Sequence, residues 1–381
     1  MKKNRLPAFL CIVLLFLTFS LQAQTVHSAS FEHGGITRSY HYYVPATYSP
    51  SQPTALVLGL HGLGSSGQNF AQYRDFRPIA DTANFIFVYP DGSTLLGVRF
   101  WNYGNVMGST VDDIGFLEAL VDTISAHYSI DENRVYCTGM SNGAFMAYAL
   151  ACNSSKFAAI AAVTGSMSLN MYNSCQPQMP IPVMHIHGTE DSTNPYDGTS
   201  SMKSIPDVIS YWVNINQCNP TPLFTLRPDT DPNDNAVAEQ YVYHNGINGH
   251  SVEHFKIVGG GHTWPGQQMS GGGNLCMDID GRIEIWRFFN QFQRSAPFSL
   301  SEEQPIPFQI YPNPTKSTLY IESPNAHPYQ IQVLDALGRK IPIAIEHSPQ
   351  QVDMRQWDKG IYFLEIKQGE NRQILKIMLV E

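Results

Sequence analysis

Residues 134–148 read RVYCTGMSNGAFMAY, and this stretch decides how the chain is folded. It opens as a β-rich run over 134–138, turns through Gly139-Met140-Ser141-Asn142-Gly143, and continues as a helix-like run over 144–152. The pentapeptide fits G-x-S-x-G, a string short enough to occur by chance, and its weight comes from lying between a strand and a helix. A serine on such a turn sits on strained backbone with its hydroxyl exposed, and Gly139 and Gly143 leave room for the chain to double back. The following helix aims unpaired N–H groups at Ser141, which makes the Asn142 amide a donor for an oxyanion. Ser141 is therefore the expected nucleophile.

The same alternation extends outward from this segment. Strand-like runs cover 40–44, 54–61, 84–89, 157–163, 181–187 and 252–258, and apolar spacing at three and four residues predicts helices over 69–82, 113–127, 142–152, 203–216 and 281–292. Near-continuous apolar runs such as Ala55-Leu56-Val57-Leu58 need cover on both faces. The pattern predicts an α/β fold with a mainly parallel, doubly wound sheet.

A serine hydroxyl needs a base, and the base needs an orienting carboxylate. The run 54–61 ends in HGLG, where Gly62 and Gly64 let the Leu63 N–H turn toward a reacting carbonyl as second oxyanion donor, a plain glycine turn being the alternative. The run 181–187 ends in HGTED, so Asp191 is the expected carboxylate with Glu190 its local rival, since spacing from a strand end does not separate neighbours. His262 follows Gly259-Gly260-Gly261 directly after a strand and is the expected base. His254 reads as a sheet residue, while His244 and His250 fall in a polar loop. His185 and His187 share one face of a strand but lack a third ligand at matching spacing, so packed histidines are expected and no metal. Trp101 and Trp264 offer flat apolar area for the walls of a substrate pocket, with core packing as the alternative.

Composition sets the outer limits. Of 381 residues 43% are hydrophobic and 14% charged, against about 25% charged in an average domain, which excludes disorder. The formal charge is −9 with no basic run, so nucleic acid is not an expected partner. Lys2, Lys3 and Arg5 precede a short apolar stretch ending in Leu21-Gln22-Ala23, the pattern of a secretory leader over 1–23. Its apolar part is too short for a membrane span, and no stable membrane insertion is expected. The export this implies makes pairing plausible among Cys137, Cys152, Cys175, Cys218 and Cys276, with one left over. Cys137, in an apolar run, is the expected unpaired thiol. From residue 298 the period changes: a Pro- and Glu-punctuated linker leads into short strand candidates that predict a small β-sandwich, so the expected units are 24–297 and 298–381.

Seven motifs, in order, resemble the secreted carbohydrate-esterase and polyhydroxybutyrate-depolymerase-like branch of the α/β-hydrolases: LHGLG (60–64), VYPDG (88–92), FWN (100–102), VDDIGF (111–116), RVYCTGMSNGAFMAY (134–148), HIHGTED (185–191) and GGGHTWPG (259–266). The resemblance implies catalytic Ser141, Asp191 and His262, oxyanion amides from Leu63 and Asn142, a disulfide between Cys152 and Cys175, and no cofactor. No polymer-binding module follows a linker, as polyester depolymerases of this branch carry one, so feruloyl or acetyl esters on plant polysaccharide are the favoured substrate. IYPNPTKSTLYIE (310–322), IQVLDALGRKI (331–341) and KGIYFLEIK (359–367) resemble a type A sorting domain of the type IX secretion system, which implies that export machinery as a partner and a place outside the cell. The expected activity is that of a secreted serine esterase. The alternatives are a polyester depolymerase, a surface binding protein that keeps the scaffold without turnover, and a peptidase using the same triad.

Overall fold

The strand Thr54–Leu60 is buried at every position. Leu56, Leu58 and Leu60 enter one apolar cluster and Ala55 and Val57 another, so successive side chains feed cores on opposite faces of the sheet. The computed structural model describes residues 26–267, 271–294, 308–323, 328–335, 339–343, 350–368 and 371–380. The chain divides into two compact units, Met1–Ala296 and Pro297–Glu381. The expected leader and residues 298–307 of the expected linker lie outside the described residues.

In chain order the first unit runs β1 (Val26–His33), β2 (Ile36–Tyr43), β3 (Thr54–Leu60), α1 (Gly67–Tyr73), α2 (Arg77–Ala83), β4 (Phe85–Pro90), β5 (Ser93–Leu95), β6 (Val98–Phe100), α3 (Asp113–His127), β7 (Ile130–Met140), α4 (Asn142–Asn153), β8 (Ala159–Val163), α5 (Leu169–Ser174), β9 (Val183–Gly188), α6 (Ile205–Ile215), β10 (Leu223–Leu226), β11 (Val237–Tyr243), β12 (Val252–Val258) and α7 (Gly281–Phe289). Ten strands form one sheet in the order β1-β2-β4-β3-β7-β8-β9-β12-β11-β10, while β5 and β6 make a separate hairpin. From β4 to β12 every neighbouring pair is parallel. Antiparallel strands close both edges. Residues of α3, α4 and α6 join the cluster on one face of the sheet, and residues of α1, α2 and α7 join the cluster on the other. This is a mainly parallel, doubly wound α/β sheet.

Some expectations are corrected. The single helix over 69–82 is two helices, α1 and α2, broken at Arg74–Phe76. Pro78 stands in the first turn of α2, where it lacks an N–H to continue a longer helix and disfavours helical backbone before it. The edge strands β1, β10 and β11 escape the pattern reading because they alternate weakly; all four residues of β10 are exposed. Cys152 and Cys175 form a disulfide. Among the described residues three thiols are free and buried, where one was expected: Cys137, Cys218 and Cys276. Cys218 and Cys276 lie in the clusters on opposite faces of the sheet, which keeps them apart. Among the described residues no helix is long and apolar enough to cross a membrane.

The second unit contains β13 (Gln309–Tyr311), β14 (Thr318–Glu322), β15 (Gln330–Asp335), β16 (Lys340–Ile341), β17 (Gln351–Asp353), β18 (Gly360–Gln368) and β19 (Asn371–Leu379). They form antiparallel sheets in the orders β13-β14-β17 and β16-β15-β18-β19. Leu319, Val333, Leu364 and Ile377 from both sheets share one fully buried core, which makes the unit a small β-sandwich.

Candidate active site

Strand β7 runs into α4 through a turn of one residue. Ser141 has φ 55° and ψ −120°, a region that L-residues occupy only when the surroundings hold them there. Its N–H donates to Val163 O at 2.9 Å, and its carbonyl accepts from Ala144 and Phe145. The flanking glycines are steric requirements. A Cβ on Gly139 would lie 2.4 Å from Gly143 O, and one on Gly143 would lie 2.3 Å from Leu60 O. The Ser141 side chain makes no capping bond to α4, so its hydroxyl stays available. The helix is buried from Asn142 to Cys152, which explains an apolar composition all round it.

The loop after β3 lies against this turn: a Cβ on Gly62 would sit 3.5 Å from the Ser141 Cβ. The Leu63 and Asn142 N–H groups donate to no group among the described residues, and both residues line the same cavity as Ser141. His61 is buried, and burial pushes its pKa down to about 4, so the ring is neutral. Its Nδ1–H donates to Gly62 O at 2.7 Å, and its Nε2 accepts from the Gly92 N–H at 3.0 Å.

The expectation that Trp101 and Trp264 wall the substrate pocket is corrected: both are fully buried and neither reaches the cavity. The Trp101 indole N–H donates inward to His61 O at 3.0 Å. Trp264 packs edge-on against Phe70 and Phe76 beneath the sheet. Their large apolar area is worth more in the core than on a wet rim.

The expected acid and base, Asp191 and His262, stand past the ends of β9 and β12. Asp191 Oδ2 accepts from His262 Nδ1 at 2.8 Å, and Asp191 Oδ1 accepts from the N–H groups of Thr193 and Asn194 at 2.9 and 2.8 Å. Glu190 is exposed. Burial works against the Asp191 charge, but the donors His187, His262 and Asn194 outweigh it and hold the carboxyl well below the ordinary carboxylate range. His262 lines the cavity together with Ser141. Among the described residues the Ser141 hydroxyl has no hydrogen-bond partner, a looseness common before substrate binds.

Among the described residues no group of three or more His, Cys, Asp or Glu side chains is placed to hold a metal ion, His185 and His187 included. They form a chain instead. Tyr148 Oη lies 2.6 Å from His185 Nδ1, His185 Nε2 lies 3.1 Å from His187 Nδ1, and His187 Nε2 faces Asn194 O at 2.8 Å and Asp191 Oδ2 at 3.3 Å. Both final atoms can only accept. His187 Nε2 therefore carries a hydrogen directed at these two oxygens. His254, in β12, is buried behind them, with Tyr196 Oη 2.9 Å from its Nε2.

Sequence reasoning gave no role to three residues that hold the site, His61, Asn102 and Asp113, and read His187 as a packed histidine. Asp113 is buried and accepts from Arg38, Ser93 and the Asn102 N–H. Asn102 in turn donates to Ser109 O and Val111 O. Their signal was present in the motifs HGLG, FWN, VDDIGF and HIHGTED, in which His61, Asp113 and His187 are buried.

The cavity has a volume of about 1060 Å³. Tyr103 and Phe145 stack on each other at 4.9 Å in its wall. Neutral groups such as Asn105, Ser168, Asn170 and Ser201 supply much of its polarity, and the described lining contains no Asp or Glu.

Comparison with known proteins follows the same division of the chain. Residues 38–214 match the esterase PHB depolymerase family, and residues 309–381 match the secretion system C-terminal sorting domain. The chain is 28% identical over 273 residues to the bifunctional acetylxylan esterase/xylanase XynS20E of Neocallimastix patriciarum, covering 70% of this chain and 35% of that protein. It is 28% identical over 191 residues to feruloyl esterase C of Emericella nidulans, covering 48% of this chain and 64% of that protein. Among solved structures, the acetyl xylan esterase of Aspergillus awamori aligns with a TM-score of 0.46 at 16% identity, covering 66% of this chain and 94% of that one. Each of the two units thus contains the stretch matched by one family model, the esterase PHB depolymerase family in the first and the secretion system C-terminal sorting domain in the second.

Proposed function

We propose that the chain is a secreted serine esterase that hydrolyses carboxylic esters, feruloyl or acetyl, on plant polysaccharide. The observation that carries this reading is the 2.8 Å bond between His262 Nδ1 and Asp191 Oδ2 beside a cavity that also holds Ser141 on strained backbone. Ser141 Oγ attacks the ester carbonyl carbon while His262 Nε2 takes the hydroxyl proton. Asp191 stabilises the imidazolium, and the Leu63 and Asn142 amides receive the oxyanion. The alcohol leaves with the proton returned by His262. Water then attacks the acyl-enzyme, gives a proton to His262, and releases the acid and the free serine.

The named activities of the relatives support esters on xylan or esters of ferulate. The Asn, Ser and Thr groups of the lining suit a sugar, and the Tyr103–Phe145 pair suits an aromatic acyl ring. The C-terminal domain supports export through its secretion machinery to the medium or the cell surface. The decisive assay runs the full chain on methyl ferulate, acetylated xylan and polyhydroxybutyrate in parallel. Turnover confined to the polyester would replace the polysaccharide reading. In Ser141→Ala, kcat/KM should fall by at least about 10⁴-fold, and an undiminished rate would overturn the mechanism.

A further inference from the structure

We infer that Trp101 is a positioning residue that holds both oxyanion amides in register from inside the core; the inference rests on the serine-esterase reading above. The two expected donors stand on separate elements. Asn142 opens α4, while Leu63 lies on an exposed loop between two glycines. Oxyanion stabilisation depends on donors being oriented before charge develops, and a glycine-flanked loop has many orientations to lose. Something must join the two.

Trp101 spans the gap with three hydrogen bonds. Its main-chain N–H donates to Asn142 Oδ1 at 2.7 Å, and its carbonyl accepts from Asn142 Nδ2 at 3.1 Å. Both ends of the Asn142 side-chain amide are thus engaged, which fixes the residue that carries one oxyanion N–H. The indole Nε1–H reaches the other side, donating to His61 O at 3.0 Å. His61 passes the restraint on by donating to Gly62 O, and the far end of the loop is tied to the strand preceding Trp101 by Gly64 N–H donating to Arg99 O at 2.7 Å. Trp101 is itself anchored, because the next residue, Asn102, donates its N–H to Asp113 Oδ2 at 2.7 Å, and Asp113 is paired with Arg38 at 2.6 Å. Trp101 is fully buried, so water does not compete for these bonds. Apolar packing alone would need none of them.

The test separates oriented donors from a merely intact core. Trp101→Phe removes the indole N–H and keeps an aromatic ring, while Asn142→Ala keeps its backbone N–H and opens the other half of the clasp. The full chain and both variants are assayed on p-nitrophenyl acetate, and each is titrated with phenylboronic acid, whose serine adduct is tetrahedral. Each variant should lose about 10²-fold in kcat, on the scale of one oxyanion donor, with KM within about three-fold and inhibition by phenylboronic acid weakened in parallel. A packing role would lower the melting temperature and leave the kcat of the folded fraction and the boronate affinity in place, and that result in both variants overturns the inference. Should Trp101→Phe fail to fold, Asn142→Ala carries the same readout. A fully active Ser141→Ala would instead sink the serine reading on which the inference rests.

Discussion

The turn of the proposed nucleophile and the proposed acid–base pair are held by different means. Ser141 is held by what is adjacent in the chain: β7 enters the turn, α4 leaves it, and two glycines admit the backbone atoms that crowd it. Asp191 and His262 are 71 residues apart and lie on loops past β9 and β12, where hydrogen bonds fix them. The first half is rigid by packing and tolerates no added atom. The second is rigid by polar satisfaction and tolerates no lost donor.

Breaking the polar half should have the largest effect. Asp191→Asn should lower kcat by about 10⁴-fold, because the amide no longer stabilises the imidazolium and can present an N–H where a carboxylate oxygen should accept. Glu190→Gln, measured beside it, should stay within about two-fold, and comparable losses in both would erase the distinction between the neighbours. The packed half should fail by stability. Gly143→Ala places a Cβ 2.3 Å from Leu60 O, a backbone atom that moves only with β3, and the expected cost is about 3 kcal/mol in urea unfolding. An unchanged midpoint would show that the turn has slack.

Acid separates the two halves by pH window. His61, beside the nucleophile, is pushed from 6.5 down to about 4 by burial, so the unfolded chain takes up a proton at this group before the folded chain does. Its contribution is complete above pH 6.5 and is lost as the pH falls toward 4, amounting to about 3 kcal/mol across that window. Asp191 is displaced downward by its donors. Its stabilising effect is present above the ordinary carboxylate pKa and disappears only as the pH falls through its own lower value. His61→Gln should therefore flatten the stability profile between pH 4 and 6.5, and Asp191→Asn should flatten it further toward acid. A shared window would mean that the halves titrate as one unit.

The legibility of each half follows from the same physics. The nucleophile turn is a string of neighbours, so strand, glycines, serine and helix could be read together at 134–152. The choice between Asp191 and Glu190 could not, because it depends on which carboxylate faces inward: Asp191 is 3% exposed and Glu190 lies in solvent. The two tryptophans show the opposite limit. Their residue type suits a pocket wall and a core equally, and only the packing of Phe70, Phe76 and His61 around them assigns both to the interior. The broken helix at Arg74–Phe76 and the weakly alternating edge strands were hidden because periodicity reports burial on one regular face, which these segments lack.

By itself the sequence determined the parallel core of the sheet, the turn carrying Ser141, the loops where an acid and a base would stand, and the change to a β-sandwich after residue 298. These are contiguous patterns of hydrophobicity and backbone permission, and they need no partner distant in the chain. Tertiary structure alone decided the Asp191–His262 bond, the Tyr148–His185–His187 chain behind it, the Trp101–Asn142 clasp, and the separation of Cys218 from Cys276 on opposite faces. Each depends on which side chains are brought together and taken out of water, a property of the folded sheet that local sequence does not carry.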